Sequence, residues 1–322
     1  MTEPDEMTNR LTRENLHGVW AAIATPFDED GRLDLGILRE NIRRLHSGGV
    51  HGIYTTDADG EFYALEIEEF RALVTAFGEE CQRLGVPTQV GCTWPHTAGI
   101  VDRLRICADV GVLGAHIGHP FFMPMSRASM LAFWHDLMAA VPDWFAFIHY
   151  NTPRCPNVLG GADYAELSGS IPNLIGAKLV GSDFGEFLGI VSQAPELRYF
   201  VSEQVFAPFF PYGARGIYSW FANMNARYLR DWYDELDAGQ WSVAANRQVR
   251  LHEFSAASQD LRAEGNMHAI LNKARSAASD FLVPSNHTRA PYLPIPDERV
   301  ADFKKLIEDS FPDLVWSVGA QT

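Results

Sequence analysis

Eight short apolar segments, each separated from the next by an amphipathic stretch, constrain the fold of this chain more than any other sequence feature. In the stretch Leu35–Ser47, for example, the apolar residues fall on one helical face. Strands that alternate with helices predict an α/β protein with a parallel sheet, and eight strands is the number that closes a (β/α)8 (TIM) barrel. The predicted strands are Val19–Ala24, Gly52–Thr56, Thr88–Gly91, Gly114–Gly118, Phe145–Tyr150, Leu174–Lys178, Arg198–Ser202 and Gly216–Ser219.

The strand pattern stops after Asn225, and the rest of the chain has the periodicity of helices. We therefore predict a flexible N-terminal segment over residues 1–15, a barrel over residues 16–225, and a C-terminal helical region, residues 226–322, packed on the barrel. The predicted helices of that last region are Tyr228–Ala238, Trp241–Leu261, Met267–Asp280 and Asp297–Ser310.

The charge of the chain limits its partners. The formal net charge is -15 and the isoelectric point is about 5.1, so a nucleic acid or an anionic membrane surface would be repelled. Met1–Asn15 lacks the apolar core of a signal peptide, and no apolar run approaches the roughly 20 residues of a membrane helix. Four widely spaced cysteines favour reduced thiols. We predict a soluble, cytoplasmic protein without nucleic-acid or membrane partners.

In a barrel of this kind, active sites form where the strands end, and two such ends carry candidate catalytic residues. Lys178 ends the sixth strand within the apolar segment Leu174–Val180. Burial lowers the pKa of a lysine and leaves a free amine that attacks carbonyl carbons. The alternative is a structural lysine that reaches solvent or pairs with Asp183. Tyr150 ends the adjacent strand, where its phenol can relay protons, unless it only caps the barrel core.

A set of short motifs, in this order and spacing, resembles the dihydrodipicolinate synthase and N-acetylneuraminate lyase superfamily. The resemblance implies a class I aldolase or dehydratase that acts on a 2-oxo acid without a cofactor or a metal. It also implies that Lys178 forms the imine, that Tyr150 shuttles protons, and that the protein is a homo-oligomer, a dimer or a tetramer. The motifs are Ala24-Thr25-Pro26-Phe27, Gly60-Glu61, Tyr150-Asn151-Thr152-Pro153, Gly176-Ala177-Lys178 and Ala222-Asn223.

The loop after the second strand departs from the family pattern. The family usually has Gly-Thr-Thr-Gly-Glu there, and its threonines hold the substrate carboxylate. A gapless alignment on Gly60 and Glu61 places Asp57-Ala58-Asp59 in that position. Two carboxylates about 4 Å apart repel each other by roughly 4 kcal/mol. Either Asp59 points away, or it is protonated, or the substrate carries another group there. A local shift that uses Thr56 would also restore the usual contact.

Two further departures concern the substrate. Pro120–Met123 replaces a tyrosine that family members often carry, and the arginine of the synthases aligns with Cys155, next to Arg154. We therefore do not expect a lysine-biosynthetic dihydrodipicolinate synthase. Large apolar side chains at the strand ends favour a bulky or aromatic substrate instead. The predicted substrate-binding residues are Thr56, Asp57, Asp59, Gly60, Glu61, Phe122, Arg154, Glu203, Tyr218 and Trp220.

These observations predict a Schiff-base-forming lyase, an aldolase or a hydro-lyase, for a 2-oxo acid or a related carbonyl substrate. One alternative is a metal-dependent barrel lyase, although no H-E-x-x-H motif supports zinc. The other alternative is a binding or regulatory protein that kept the barrel and lost turnover. The possible hard-metal ligands of the first alternative are Asp57, Asp59, Glu61, His116, His119 and Glu203.

Overall fold

The computed structural model describes residues 10–263 and 268–316, and its centre is a closed barrel of eight parallel strands in sequential order. The predicted (β/α)8 barrel is therefore confirmed, with strand ends within two residues of their predicted positions. The strands are β1 (Gly18–Ala22), β2 (Gly52–Thr55), β3 (Thr88–Gly91), β4 (Gly114–Ile117), β5 (Ala146–Asn151), β6 (Leu174–Leu179), β7 (Arg198–Val201) and β8 (Ala214–Ser219).

Helices surround the barrel, and local sequence signals set where they begin and end. The side chain of Asp34 accepts a hydrogen bond from the backbone N–H of Ile37 at 2.9 Å and begins the first helix. Gly85 adopts a left-handed conformation (φ 70°) that ends the second. The helices up to the eighth strand are α1 (Leu35–Ser47), α2 (Ile67–Leu84), α3 (Thr97–Val110), α4 (Arg127–Ala139), α5 (Gly161–Ser170), α6 (Phe184–Gln193) and the short α7 (Phe206–Phe209).

Within the described residues, five helices follow β8, and they differ in detail from the prediction. The first begins at Ala222, six residues before the predicted start, and contains the non-helical Asn225. The predicted boundary between residues 225 and 226 falls inside this helix. The single helix predicted over Trp241–Leu261 is divided near Ser258, and Met267 lies outside the described residues. The helices are α8 (Ala222–Asp237), α9 (Trp241–Ala257), α10 (Gln259–Ala263), α11 (His268–Ser279) and α12 (Asp297–Ser310).

Side chains that alternate along the strands build two separate cores. Residues such as Val19, Ile53 and Ala177 face the helices, whereas their strand neighbours Trp20 and Tyr54 fill the barrel interior. Because successive side chains of a strand point to opposite faces, Lys178, which follows Ala177, points into the barrel. The alternation thus places the predicted nucleophile inside the protein.

The described ends of the chain pack against this scaffold. Residues 1–9 of the predicted flexible segment lie outside the described residues, whereas Leu11 and Leu16 are buried at the barrel interior. The guanidinium of Arg13 donates a hydrogen bond to the carbonyl oxygen of Leu174 at 3.1 Å.

None of the helices described is both long enough and apolar enough to cross a membrane.

Candidate active site

Lys178 lies inside the barrel at the end of β6, and its side chain is surrounded by aromatic rings. The residue is 7% exposed. Its Nζ donates a hydrogen bond to the Tyr54 hydroxyl at 3.1 Å and lies 3.5 Å from Oδ2 of Asp57. The same nitrogen lies 4.4 Å from the ring centroid of Tyr150, which pairs with Lys178 across β5 and β6. The structure therefore brings the two predicted catalytic side chains together.

The charges around Lys178 differ from the prediction. Burial lowers the pKa of Lys178, but the neighbouring Tyr54, Tyr150 and Asp57 raise it well above its usual range. Burial raises the pKa of Asp57, but Lys178 and His116 outweigh that effect and lower it. Opposite shifts in two adjacent groups indicate an ammonium–carboxylate ion pair. The prediction that burial leaves Lys178 as a free amine is therefore wrong for this site.

A sharp turn after β2 directs Asp57 toward this amine. Thr56 and Asp57 adopt positive φ angles of 63° and 32°, a conformation that is uncommon for non-glycine residues and is a true outlier for a β-branched one. The Thr56 hydroxyl donates to the carbonyl oxygen of Gly91 at 2.7 Å. A Cβ at Gly91 would lie 2.3 Å from the Asp57 nitrogen, so this approach requires glycine. Thr56, a predicted substrate-binding residue, thus holds the turn.

The other predicted residues of this loop are bound to neighbouring backbone and to α11. Oδ1 of Asp59 accepts a hydrogen bond from Nδ2 of Asn272 at 2.6 Å. The carbonyl oxygen of Gly60 accepts one from the Thr25 hydroxyl at 2.6 Å. Glu61 is buried in an ion pair with Lys273. Of the arrangements considered for the acidic loop, the structure thus has Asp59 turned toward α11.

Behind Asp57, a buried polar network crosses the barrel interior. Nδ1 of His116 lies 3.3 Å from Oδ2 of Asp57, and its Nε2 lies 2.6 Å from the carboxamide of Gln89. The hydroxyl of Tyr218, predicted to bind substrate, lies 2.8 Å from the same carboxamide group instead. Burial lowers the pKa of His116 more than Asp57 raises it, so the imidazole is neutral. A neutral ring that donates from Nδ1 to Asp57 needs a donor at Nε2. A half-turn of the Gln89 amide supplies one from a buried nitrogen that otherwise lacks a partner, and the Tyr218 hydroxyl then accepts from the same NH2 group.

An apolar cavity of about 340 Å³ opens beside Tyr150. Arg154 lines it and donates a hydrogen bond from Nη1 to the Tyr150 hydroxyl at 3.3 Å. Phe122, predicted to bind substrate, is 83% exposed, whereas the preceding Phe121 lines the cavity. The cavity residues are Asp57, Ala58, Phe62, Tyr63, Thr93, Phe121, Tyr150, Thr152, Arg154, Cys155, His268 and Ala269.

Of the ten predicted substrate-binding residues, only Asp57 and Arg154 line this cavity, and Glu203 and Trp220 are among the eight that do not. Glu203 is buried at the end of β7, where desolvation raises its pKa to about 7. Trp220 packs against Phe254 and under the guanidinium of Arg275, at 4.4 Å from the ring centroid. Neither residue is among those that line the cavity beside Tyr150.

Apart from the contact between His116 and Asp57, the residues proposed as metal ligands bind different partners. His116 contacts Asp57 and Gln89, whereas His119 accepts a hydrogen bond from Trp134 at 3.0 Å. Glu61 is paired with Lys273. Within residues 10–263 and 268–316, no three histidine, cysteine or acidic side chains come together as candidate ligands. This distribution of donors does not favour the metal-dependent alternative.

Several residues of the site were not predicted as partners of the lysine. Tyr54, Gln89 and His116 surround it or extend its network, and each lies within a strand rather than after one. A polar residue at an inward position of a barrel strand is the signal that identifies them. To use that signal, one must know which residues of a strand point into the barrel. The alternation along Ile53, Tyr54 and Thr55 gives this orientation only once the strand is taken to belong to a barrel.

Comparison with known proteins shows which family the sequence of this chain matches. The family model described as the dihydrodipicolinate synthetase family matches residues 15–310. An uncharacterized DapA-like lyase of Halobacterium salinarum is 29% identical over 243 residues, 75% of this chain and 79% of that protein. The trans-O-hydroxybenzylidenepyruvate hydratase-aldolase of Pseudomonas putida is 26% identical over 318 residues, 92% of this chain and 94% of that enzyme.

Solved structures show the same fold. YagE, a prophage protein of the dihydrodipicolinic acid synthase family from E. coli K12, solved in complex with pyruvate, superposes with a TM-score of 0.84 at 20% identity. The superposition covers 91% of this chain and 98% of that one. A dihydrodipicolinate synthase from Bacteroides thetaiotaomicron gives a TM-score of 0.83 at 19% identity, over 91% of this chain and 98% of that one.

Proposed function

The chain belongs to the dihydrodipicolinate synthetase family, and from that premise we propose that it is a Schiff-base-forming lyase for a 2-oxo acid or related carbonyl compound with a bulky, aromatic remainder. The family and its named relatives support an aldolase- or lyase-type activity. The observation that carries the Schiff-base mechanism is the position of the Lys178 amine, buried inside the barrel and 4.4 Å from the centre of the Tyr150 ring.

In this mechanism Lys178 Nζ attacks the substrate carbonyl carbon, the carbon–nitrogen bond forms, and the carbonyl oxygen leaves as water. The iminium that remains accepts the electron pair of the adjacent carbon–carbon or carbon–hydrogen bond. Tyr150 donates and accepts the protons of this second step, and Arg154, which donates a hydrogen bond to its hydroxyl, orients the phenol. Thr56 and Asp59, predicted from the sequence to bind substrate, contact the carbonyl oxygen of Gly91 and the side chain of Asn272 instead.

The cavity beside Tyr150 supports a substrate larger than pyruvate. Phe62, Tyr63 and Phe121 form aromatic walls of a kind that suits an aromatic ring. Arg154, at the same cavity, offers a charge partner for the carboxylate of a 2-oxo acid. A relative that matches 92% of this chain is named a hydratase-aldolase of an aromatic pyruvate, which agrees with this reading.

We also propose the remaining properties that the family resemblance implies. They are catalysis without a cofactor, a homo-oligomer (a dimer or a tetramer), and a cytoplasmic location. The division into a barrel over residues 16–225 and a packed helical region from residue 226 remains a proposal as well.

The test is reduction with borohydride in the presence of a panel of 2-oxo acids and aromatic aldehydes, followed by intact mass spectrometry and peptide mapping. We expect a stable adduct on Lys178 with panel members that the cavity accepts. An adduct on another lysine would contradict the assignment. Activity that needs no imine and is lost on treatment with EDTA would favour the metal-dependent lyase. Tight binding of one compound without turnover of any would favour the binding protein.

Replacing Tyr150 with phenylalanine should lower turnover about 10²-fold, because proton transfer is lost while the amine is retained. Adduct formation under borohydride should persist at a reduced rate. Steady-state kinetics and adduct mass measured on the same preparation test this expectation. A variant with unchanged turnover would remove Tyr150 from the mechanism.

A further inference from the structure

The family pattern has no acid at the end of the second strand, yet this chain buries Asp57 there against the lysine. We propose that Asp57 is a catalytic residue that takes a proton from Lys178 as the amine attacks, returns it to the departing oxygen, and then balances the charge of the iminium. This inference rests on the proposed Schiff-base function, and it changes the role expected for Asp57 from substrate binding to proton transfer.

The contacts of Asp57 carry the inference. Its side chain is 2% exposed, and a buried carboxylate is retained only where a cation and hydrogen bonds compensate its lost hydration. Oδ2 meets Lys178 Nζ at 3.5 Å and His116 Nδ1 at 3.3 Å. The positive φ angles at Thr56 and Asp57 are the kind of backbone strain that persists where surrounding structure imposes it, commonly at functional sites.

Other titratable groups face the amine, but they are poorer acceptors for its proton. Burial raises the pKa of Tyr54 and Tyr218 far above neutrality and also raises that of Tyr150, so these phenols stay protonated. His116 is neutral, lies behind Asp57, and is turned toward it. The titratable groups that interact with the amine from a greater distance are Asp59, Glu203 and His268, whereas Arg154 faces Tyr150.

The proton and charge balance of the step supports this role. The ammonium of Lys178 transfers one proton to Oδ2 of Asp57, and the free amine then forms its bond to the carbonyl carbon. The oxygen of the carbinolamine receives that proton from Asp57 and a second one from the nitrogen, and it leaves as water. One proton remains on the iminium nitrogen, opposite the restored carboxylate. The substrate and Lys178 ammonium are thus converted into iminium and water without any further reactant.

His116 acts as a positioning residue in this scheme. Its Nδ1 holds the oxygen of Asp57 that faces Lys178, and Gln89 and Tyr218 continue the network on its other side. The imidazole lowers the pKa of Asp57 and so favours the carboxylate. The network therefore keeps Asp57 oriented and ionised before the amine attacks.

The test makes two measurements on Asp57→Asn. If Asp57 transfers the proton, the variant should have more free amine at a given pH and should nevertheless form the imine more slowly. Competitive acetylation of Lys178 with acetic anhydride, followed across pH by peptide mass spectrometry, reports the free amine without requiring an imine. Loss of the carboxylate should lower the pH midpoint of acetylation by at least about one unit. Borohydride trapping with pyruvate at pH 7 should nevertheless slow about 10²-fold.

Two further variants make the test specific. Asp59→Asn removes the same charge from the same loop, but its partner is Asn272, so the acetylation midpoint should move much less than in Asp57→Asn. His116→Gln should give an intermediate shift of the acetylation midpoint. It removes the imidazole that orients Asp57 and favours its ionised form, but it keeps the carboxylate. This variant also keeps the proposal testable if Asp57→Asn does not fold.

The possible outcomes separate this inference from the proposed function. An unchanged acetylation midpoint in Asp57→Asn, or a trapping rate that rises with the free amine, overturns the role of Asp57 while Lys178 remains the nucleophile. If trapping in Asp57→Asn needs a higher pyruvate concentration while the acetylation midpoint is unchanged, Asp57 binds substrate instead of transferring the proton. If pyruvate and every other carbonyl compound of the panel leave wild-type Lys178 unmodified, the Schiff-base function fails and the inference fails with it.

Discussion

Replacing Lys178 with alanine should abolish the borohydride-dependent adduct and reduce turnover roughly 10⁴-fold or more. The variant loses the amine that β6 holds inside the barrel, 3.1 Å from Tyr54 and 3.5 Å from Asp57. Water cannot replace a covalent electron sink, so substrate binding alone would not restore the reaction. Intact mass after reduction and single-turnover kinetics measure the two losses separately.

The control for this variant is Lys305→Ala, which removes an exposed lysine from α12 and should keep the adduct. An adduct of the same mass in Lys178→Ala would contradict the assignment of the nucleophile.

The stability of Lys178→Ala should also depend on pH. Without the cation that lowers it, the pKa of the buried Asp57 should rise relative to its value in wild type, so the variant should lose stability relative to wild type as pH rises through that pKa.

Replacing Lys273 with methionine should lower the free energy of unfolding by about 3–5 kcal/mol, the largest stability effect that we expect from a single buried charge. Lys273 and Glu61 form an ion pair in which both side chains are at most 1% exposed. The ammonium also donates to the carbonyl oxygen of His287 at 2.7 Å and lies 4.6 Å from the ring centroid of Phe27. Its removal leaves a buried carboxylate without a cation. Denaturant unfolding measures the change.

A double variant, Glu61→Gln with Lys273→Met, should recover part of this loss because it removes the orphaned charge together with its partner. The exposed pair of Arg227 and Asp231, 2.8 Å apart on α8, is the matched control. Arg227→Met should cost about 1 kcal/mol or less, as is usual for surface pairs. A similar small cost for Lys273→Met would mean that the buried pair does not hold the loop.

The barrel and its nucleophile could be predicted because they depend on periodicity. Apolar segments of four to six residues between amphipathic helices leave few alternatives, and every strand was placed within two residues of its position. Lys178 and Tyr150 followed because strand ends meet at one rim. Register then brings them together, since the two residues are direct partners across β5 and β6.

The electrostatics of the site could not be predicted because they depend on a turn. Positive φ angles at Thr56 and Asp57 have no sequence signature, as neither residue is glycine. Sequence reasoning therefore assigned Asp57 to substrate binding and not to a contact with Lys178. The same limit applies to the loop after β4, where Phe121 faces the cavity and Phe122 faces solvent.

Two successive residues of α11 bind the acidic residues on either side of Gly60. Asn272 donates a hydrogen bond to Asp59, and Lys273 forms an ion pair with Glu61. The turn that presents Asp57 is thus clamped from a helix that begins more than forty residues after the last strand has ended. A version of this protein that ends after β8 would keep Lys178 but would lose the α11 contacts that hold the loop of Asp57. The loop that carries Asp57 therefore depends on contacts from a part of the chain that lies beyond the eight strands.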